Sequence, residues 1–145
     1  QSSAASDVYK RQQEADLLDA QRERDPLDAL MPCADVDDIL ALRAAARAVR
    51  VSEPVRRYIT GLVAATREAD GVALGAGPRA SLALMKVGQA LALFDGLDYL
   101  PPEPIREAAV GVIAHRLSLD PQARFSGRTA VAVVRECLER VPAPD

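Results

Sequence analysis

Apolar positions between Val55 and Thr66 repeat with the period of an α-helix. They come at intervals of three and four residues, at Val55, Tyr58, Ile59, Leu62, Val63 and Thr66. Such spacing places side chains on one side of a helix, and Pro54 suits the first turn because the N–H that proline lacks would have no partner there. We therefore predict an amphipathic helix that ends near Arg67, where a cation interacts favourably with the C-terminal carbonyl groups.

A second segment, from Pro78 to Phe94, is apolar over most of its length. Gly75 and Gly77 interrupt the chain before it, and Pro78 suits the first position of a helix. Apolar side chains occur on nearly every side of this helix: Leu82, Leu84, Met85, Val87, Leu91, Leu93 and Phe94. A helix that is hydrophobic all round is normally enclosed by others. We predict that this is the central helix of a small all-α domain.

Further helices are predicted before and after this one. One begins at Asp35 as its cap and runs to about Val49, and its predicted buried side consists of Val36, Ile39, Leu40 and Ala44. Another runs from about residue 103 to 117, and a final helix ends near Arg140. The predicted fold is therefore an all-α bundle of about five or six helices, without a substantial sheet.

Several residues outside these helix centres have predicted structural roles. His115 and Arg116 lie in the last turn of the helix over 103–117, where cations interact favourably with the terminal carbonyl groups. Phe125 is expected to dock on the core. A short strand is possible in which Tyr99 pairs with the segment near Val51.

Composition excludes several classes of function. The chain of 145 residues has a formal net charge of -3, and its Lys and Arg residues are scattered, so nucleic acid is not an expected partner. No apolar run approaches the ~20 residues that cross a bilayer, which predicts a cytoplasmic protein without membrane insertion. Cys33 and Cys137 lack metal-type spacing and are expected to be free thiols. With His115 as the single histidine, we predict neither a metal site nor catalytic residues.

Arg79 is the residue whose position calls for a binding partner. It follows Pro78 at the mouth of the predicted central helix, although the helix dipole favours negative charge at that end. An anion from elsewhere would give the guanidinium a favourable interaction. The alternative is that Arg79 is an ordinary solvated arginine.

The motifs around Arg79 resemble a known family. The run LGAGPRA at 74–80, followed by an apolar helix, then DGLDYLPPEPI and AHRL, and preceded by VSEPVRRYITGLVAATR, is similar to the C-terminal lid of MoxR-type AAA+ ATPases. The resemblance covers residues 14–119. Gly77 replaces the usual Ser, Leu97 the usual Arg, and Pro101 and Pro104 a usual Thr and Asp, so side-chain caps are expected to be weak at Gly77 and near residue 103.

The resemblance implies a division of the chain and a site. Residues 14–34 would end an ATPase core and link it to a helical lid at 35–141, with a loose tail at 142–145; the segment 1–13 reads as a non-native or disordered tail. Arg79 would be the sensor-2 arginine that reaches the phosphates of ATP, with Gly77 and Pro78 holding it in place. The parent enzyme would use ATP and Mg²⁺ and form a homo-hexameric ring.

Two hypotheses for function follow. In the first, the chain is the lid of a MoxR-type AAA+ ATPase, and it couples ATP binding and hydrolysis in the core to chaperone-like remodelling of a client or to metal-cofactor insertion. Since the sequence contains neither a Gly-rich phosphate loop nor an acidic magnesium motif, the isolated chain is expected to bind no cofactor and to be inactive. In the second hypothesis, the chain is a free-standing helical protein-interaction module without nucleotide binding.

Overall fold

The structure is a computed structural model that describes Asp16 and residues 30–144. Ile39–Asp145 forms one compact unit. The predicted tail at 1–13 and most of the predicted segment at 14–34 lie outside the described residues. Within residues 30–144 the helices are α1 (Val36–Ala48), α2 (Glu53–Ala65), α3 (Pro78–Phe94), α4 (Pro102–Ile113), α5 (Pro121–Phe125) and α6 (Ala130–Arg140), with a 3₁₀ turn at Ala114–Arg116.

The predicted all-α fold is confirmed, with one small addition. Strand β1 (Val72–Leu74) pairs antiparallel with β2 (Ser118–Leu119) to form a two-stranded sheet. The sequence predicts no strand at β1, because a segment of three residues carries too little period to be recognised. No helix in the described residues is long and apolar enough to cross a membrane.

Helix α2 has the buried side that its period predicts. Ser52 caps it by accepting a hydrogen bond from the N–H of Val55 at 3.4 Å. The side chains predicted to be buried are all buried: Val55, Tyr58, Ile59, Leu62, Val63 and Thr66. Glu53 in the first turn accepts hydrogen bonds from Arg56 and Arg57, which lower the pKa of its carboxyl group.

Helix α3 is central, as predicted. The sequence also predicted that other helices enclose it on nearly every side, and this prediction is wrong. Helix α3 packs against α2 and most extensively against α4. Its buried residues are Ala80, Leu84, Gly88, Gln89 and Ala92. Leu82, Val87 and Phe94 are exposed instead, and we call these three residues the open side of α3. Leu91, which belongs to the helix that the sequence predicted to be enclosed, is only half-buried.

Helix α1 begins as predicted and differs from prediction in its burial. Asp35 accepts a hydrogen bond from the N–H of Asp38, and Asp38 accepts one from the N–H of Asp35, both at 2.9 Å. This reciprocal pair satisfies two N–H groups at the helix start. The prediction that Val36, Ile39, Leu40 and Ala44 are buried is wrong, since no residue of α1 is buried. The helical period places these apolar residues on one side of α1, but it cannot show whether other residues cover that side.

The residues around α4 are largely where the sequence placed them. The helix ends at Ile113, and a 3₁₀ turn continues it to Arg116. The Nδ1 atom of His115 lies 3.0 Å from the carbonyl oxygen of Gly111, and Nε of Arg116 donates to the carbonyl of Val112 at 3.0 Å. The prediction that both side chains interact with the terminal carbonyl groups is therefore confirmed.

The predicted strand near Tyr99 is present as a single bridge, and the predicted role of Phe125 is wrong. Tyr99 bridges Arg50, one residue from the position predicted. Phe125 ends the short helix α5 with 96% of its surface exposed, so it does not dock on the core. Aromatic side chains are commonly buried. Phe125, however, lies at the end of a five-residue helix, and its side chain faces solvent.

Both cysteines are free, as predicted, and their surroundings differ. Cys33 is exposed, whereas Cys137 is buried on α6 against Ala65 and Val133. Burial raises the pKa of the Cys137 thiol, because desolvation disfavours the thiolate.

Candidate functional site at the start of helix α3

Arg79 is the second residue of α3 and projects from an uncapped helix start. Gly77 occupies the cap position in an extended conformation (φ -107°, ψ -175°), and no side chain caps the helix. The start of α4 at Pro101 also lacks a side-chain cap. The weak capping that the sequence predicted at Gly77 and near residue 103 is thereby confirmed.

The Arg79 side chain is exposed and has no partner in the described part of the chain. The salt bridges there join other arginines, such as Arg50 and Arg128, to acidic residues. Its backbone N–H is also free of an intrahelical acceptor, because the first N–H groups of a helix have none. Arg79 therefore offers backbone and guanidinium N–H groups at one helix end, which is an arrangement suited to an oxyanion.

The residues before Arg79 lie against the end of α2. A Cβ atom at Gly75 would stand 2.6 Å from Cα and 2.8 Å from N of Arg67. Cβ atoms do not make non-bonded contacts that short, so only glycine fits at this position. Ala76, the next residue, is buried. The loop formed by residues 75–77 is thus held close to the backbone at the C-terminal end of α2.

Thr66 connects α2 to this loop by a buried hydrogen bond. Its Oγ1 atom accepts from the N–H of Ala76 at 3.0 Å and donates to the carbonyl of Val63 at 2.7 Å, and the residue is 0% exposed. The sequence placed Thr66 on the buried side of α2 but did not identify this bond. Its partner lies ten residues away in a loop, which no helical period indicates.

The sheet holds the other end of the same segment. Val72 pairs with Leu119, and Leu74 with Ser118. The carbonyl of Gly71 accepts from the N–H of Asp120 at 2.9 Å. The chain is therefore paired immediately before the loop at 75–77 and becomes helical immediately after it, which fixes the backbone that carries Arg79.

The sequence proposed a site of three residues, Gly77, Pro78 and Arg79, which are consecutive in the chain. Gly77 is exposed, with nothing within 4 Å of the position of a Cβ atom. Pro78 is the first helical residue, and the carbonyl of Gly77 accepts from the N–H of Ala80 at 2.8 Å. Arg79 is thus the group that could bind a ligand, while Gly77 and Pro78 leave the helix start unobstructed.

A surface groove in the described part of the chain lies away from Arg79. This groove of about 760 Å³ is lined by Asp70, Asp120, Arg128 and neighbours on α5, and Arg79 is not among its lining residues. Its mixture of acidic and basic groups has no arrangement that identifies a ligand. Within residues 30–144 and at Asp16, we also find no cluster of three or more His, Cys, Asp or Glu side chains that could hold a metal ion.

Comparison with known families identifies the fold. Residues 64–137 match the family model described as the AAA lid domain. The chain belongs to this family. The matched residues include Thr66, the loop at 75–77 and the whole of α3, so the candidate site lies inside the AAA lid.

Individual relatives show which kind of AAA lid this is. YeaC of Bacillus subtilis, an uncharacterized protein, is 37% identical over 132 residues, which are 91% of this chain and 41% of YeaC. The chaperone MoxR1 of Mycobacterium tuberculosis is 32% identical over 116 residues, which are 74% of this chain and 31% of MoxR1. The chain is a C-terminal lid domain of a MoxR-like AAA+ ATPase.

A solved structure has the same fold. The crystal structure of an ATPase candidate from Cytophaga hutchinsonii superposes with a TM-score of 0.72 at 32% identity, over 75% of this chain and 36% of that protein. This lid therefore spans about two fifths or less of the length of each of these three relatives.

Proposed function

We propose that this lid couples ATP binding and hydrolysis in an AAA+ core to movement of the lid, with Arg79 as the sensor-2 residue that contacts the phosphates. The observation that supports the proposal is the state of Arg79. It is exposed at an uncapped helix start and forms no ion pair with the described residues. A guanidinium can donate two parallel N–H bonds to phosphate oxygens and stabilise the charge that develops on them.

The open side of α3 supports the proposal that the lid meets a core. Leu82 and Phe94 are 53% and 76% exposed, and Arg79 begins the same helix. Leu82 follows Arg79 by three residues, so the two side chains are neighbours on the surface of α3. A core that covered Leu82 would also bring its nucleotide site towards the start of α3.

The proposal extends to the parent enzyme. ATP and Mg²⁺ would be its cofactors, a homo-hexameric ring its assembly and the cytoplasm its compartment. Remodelling of a client protein, or insertion of a metal cofactor into it, would be its task. These parts rest on the resemblance to MoxR-type ATPases and on the name of MoxR1 as a chaperone.

Substitution of Arg79 tests the proposal in the full-length ATPase that contains this lid. We expect Arg79→Ala to lower ATP turnover by about tenfold or more, because groups that stabilise phosphoryl-transfer charge can contribute ~10³-fold or more. Arg79→Lys should restore part of the loss, since lysine keeps the charge but not the paired donors. Steady-state phosphate release measures both.

Arg124→Ala is the matched control, because Arg124 is an exposed arginine on α5. It should leave turnover unchanged. The isolated chain carrying Arg79→Ala should unfold at the same temperature as the unaltered chain or slightly above it, because the change removes a cation from the positive end of the helix dipole. If Arg79→Ala left turnover intact and unfolded the isolated chain, Arg79 would be a structural residue, and the free-standing interaction module would become the better reading.

A further inference from the structure

We infer that Thr66 is a positioning residue for Arg79: its buried hydroxyl holds the loop at 75–77 so that the guanidinium reaches the nucleotide. The inference rests on the proposed function of Arg79. It concerns a residue that makes no contact with a ligand and acts through the backbone of Ala76. Thr66 itself is entirely buried, so it could not bind a nucleotide directly.

The geometry limits what the Thr66 hydroxyl can do. It donates to the carbonyl of Val63 on its own helix, so its proton is committed and its lone pair faces the N–H of Ala76. The Ala76 N–H is buried and has this oxygen as its acceptor. Without the hydroxyl, a buried donor would be unsatisfied, and a segment with an unsatisfied buried donor tends to move towards water.

Movement of Ala76 would displace Arg79. Only Gly77 and Pro78 separate them, and Pro78 and the first turn of α3 transmit a shift of the loop to the helix start. Gly75 adds a second restraint, because it contacts the backbone of Arg67 beside Thr66. A misplacement of about 1 Å at a catalytic or binding group can reduce a rate by ~100-fold.

Hydrogen exchange on the 145-residue chain tests the structural half of the inference. In Thr66→Val, which keeps the shape and removes the hydroxyl, the amide of Ala76 should exchange at least about tenfold faster than in the unaltered chain. Thr66→Ser keeps the hydroxyl and should keep the protection. Thr60→Val is the control, because Thr60 lies on α2 as well but is exposed and bonds only to carbonyls of its own helix. The inference is overturned if Ala76 exchanges at the same rate in Thr66→Val and Thr66→Ser.

Turnover in the full-length ATPase tests the functional half. Thr66→Val should lower turnover by between about 5-fold and 100-fold, Thr66→Ser should restore it to near the unaltered value, and Thr60→Val should leave it unchanged. In the Arg79→Ala background, Thr66→Val should lower turnover no further, because the group that it positions is already absent. An equal loss in both backgrounds would show that Thr66 acts only through stability.

A second variant covers the case in which Thr66→Val does not fold. Gly75→Ala places a methyl group against the Arg67 backbone and displaces the same loop without changing the buried hydroxyl. It should lower turnover in the unaltered background and not in the Arg79→Ala background. The two proposals also fail differently. If Arg79→Ala has no effect on turnover, both fail; if Arg79→Ala lowers turnover and Thr66→Val does not, only the role of Thr66 is wrong.

Discussion

At the scale of single residues, Gly75 and Gly77 have opposite requirements although they are two positions apart. Gly75 lies against the Arg67 backbone and leaves no room for a side chain. Gly77 has open space around it and an extended backbone that any residue can adopt. In the sequence, both glycines interrupt the chain before a helix. Only the structure distinguishes them, because the close neighbour of Gly75 comes from the end of another helix.

This difference predicts the effects of two serine substitutions. Gly77→Ser should raise the free energy of unfolding by about 0.5–1 kcal/mol, because serine caps a helix start and restricts the unfolded chain. Gly75→Ser should lower it by about 1–3 kcal/mol, because the added side chain meets the Arg67 backbone. Urea denaturation of the 145-residue chain measures both. Equal effects of the two substitutions would contradict the structure of this loop.

At the scale of elements, the two sides of α3 predict different stabilities. Leu84 is 0% exposed and Leu82 is 53% exposed. Leu84→Ala should lower the free energy of unfolding by about 2–5 kcal/mol, since it leaves a cavity in the core. Leu82→Ala removes the same atoms from the surface and should cost at most about 1 kcal/mol. Thermal unfolding of both variants provides the test, and similar losses would mean that the open side of α3 is covered in solution.

The sequence allowed the helices to be predicted well and their coverage less well. Every position of α2 that the period predicted to be buried is buried, because α2 packs on one side and its other side is polar; Ala65 is buried as well and was not predicted. In α3 the apolar residues exceed those that α2 and α4 can cover, so Leu82 and Phe94 remain exposed. Ile39 on α1 is likewise an apolar residue that remains exposed. A hydrophobic pattern reports which residues would gain from burial, and tertiary packing decides which of them obtain it.

The residues of the candidate site also differ in how far the sequence could predict their roles. Arg79 could be found from the sequence because a cation at a helix start conflicts with the helix dipole. Thr66 could not be assigned a role in the site, since its hydrogen bond to Ala76 joins a helix to a loop. Side chains that bind a ligand leave a chemical signal in the sequence, whereas a residue that positions them can look like any other member of a buried helix side.

At the scale of the whole molecule, this lid is one part of a larger type of protein. Its matched relatives are more than twice as long. The family could be recognised from several short motifs in one order, of which the run at 74–80 is the clearest. The client of the proposed ATPase has no such motif here, because a surface that recognises a protein need not contain a particular residue at a fixed spacing.

The two cysteines should react with a thiol reagent at very different rates. Cys33 is accessible and Cys137 is buried with a raised pKa, so a thiol reagent near neutral pH should modify Cys33 at once. Cys137 should react at least about a hundredfold more slowly, because α6 must first separate from its neighbours. Single replacements, Cys33→Ala and Cys137→Ala, assign the two phases, and equal rates would contradict the burial of Cys137. The slow phase would then measure the rate at which α6 separates from its neighbours. A change in this rate on addition of a core or a nucleotide would show whether assembly stabilises the packing of α6.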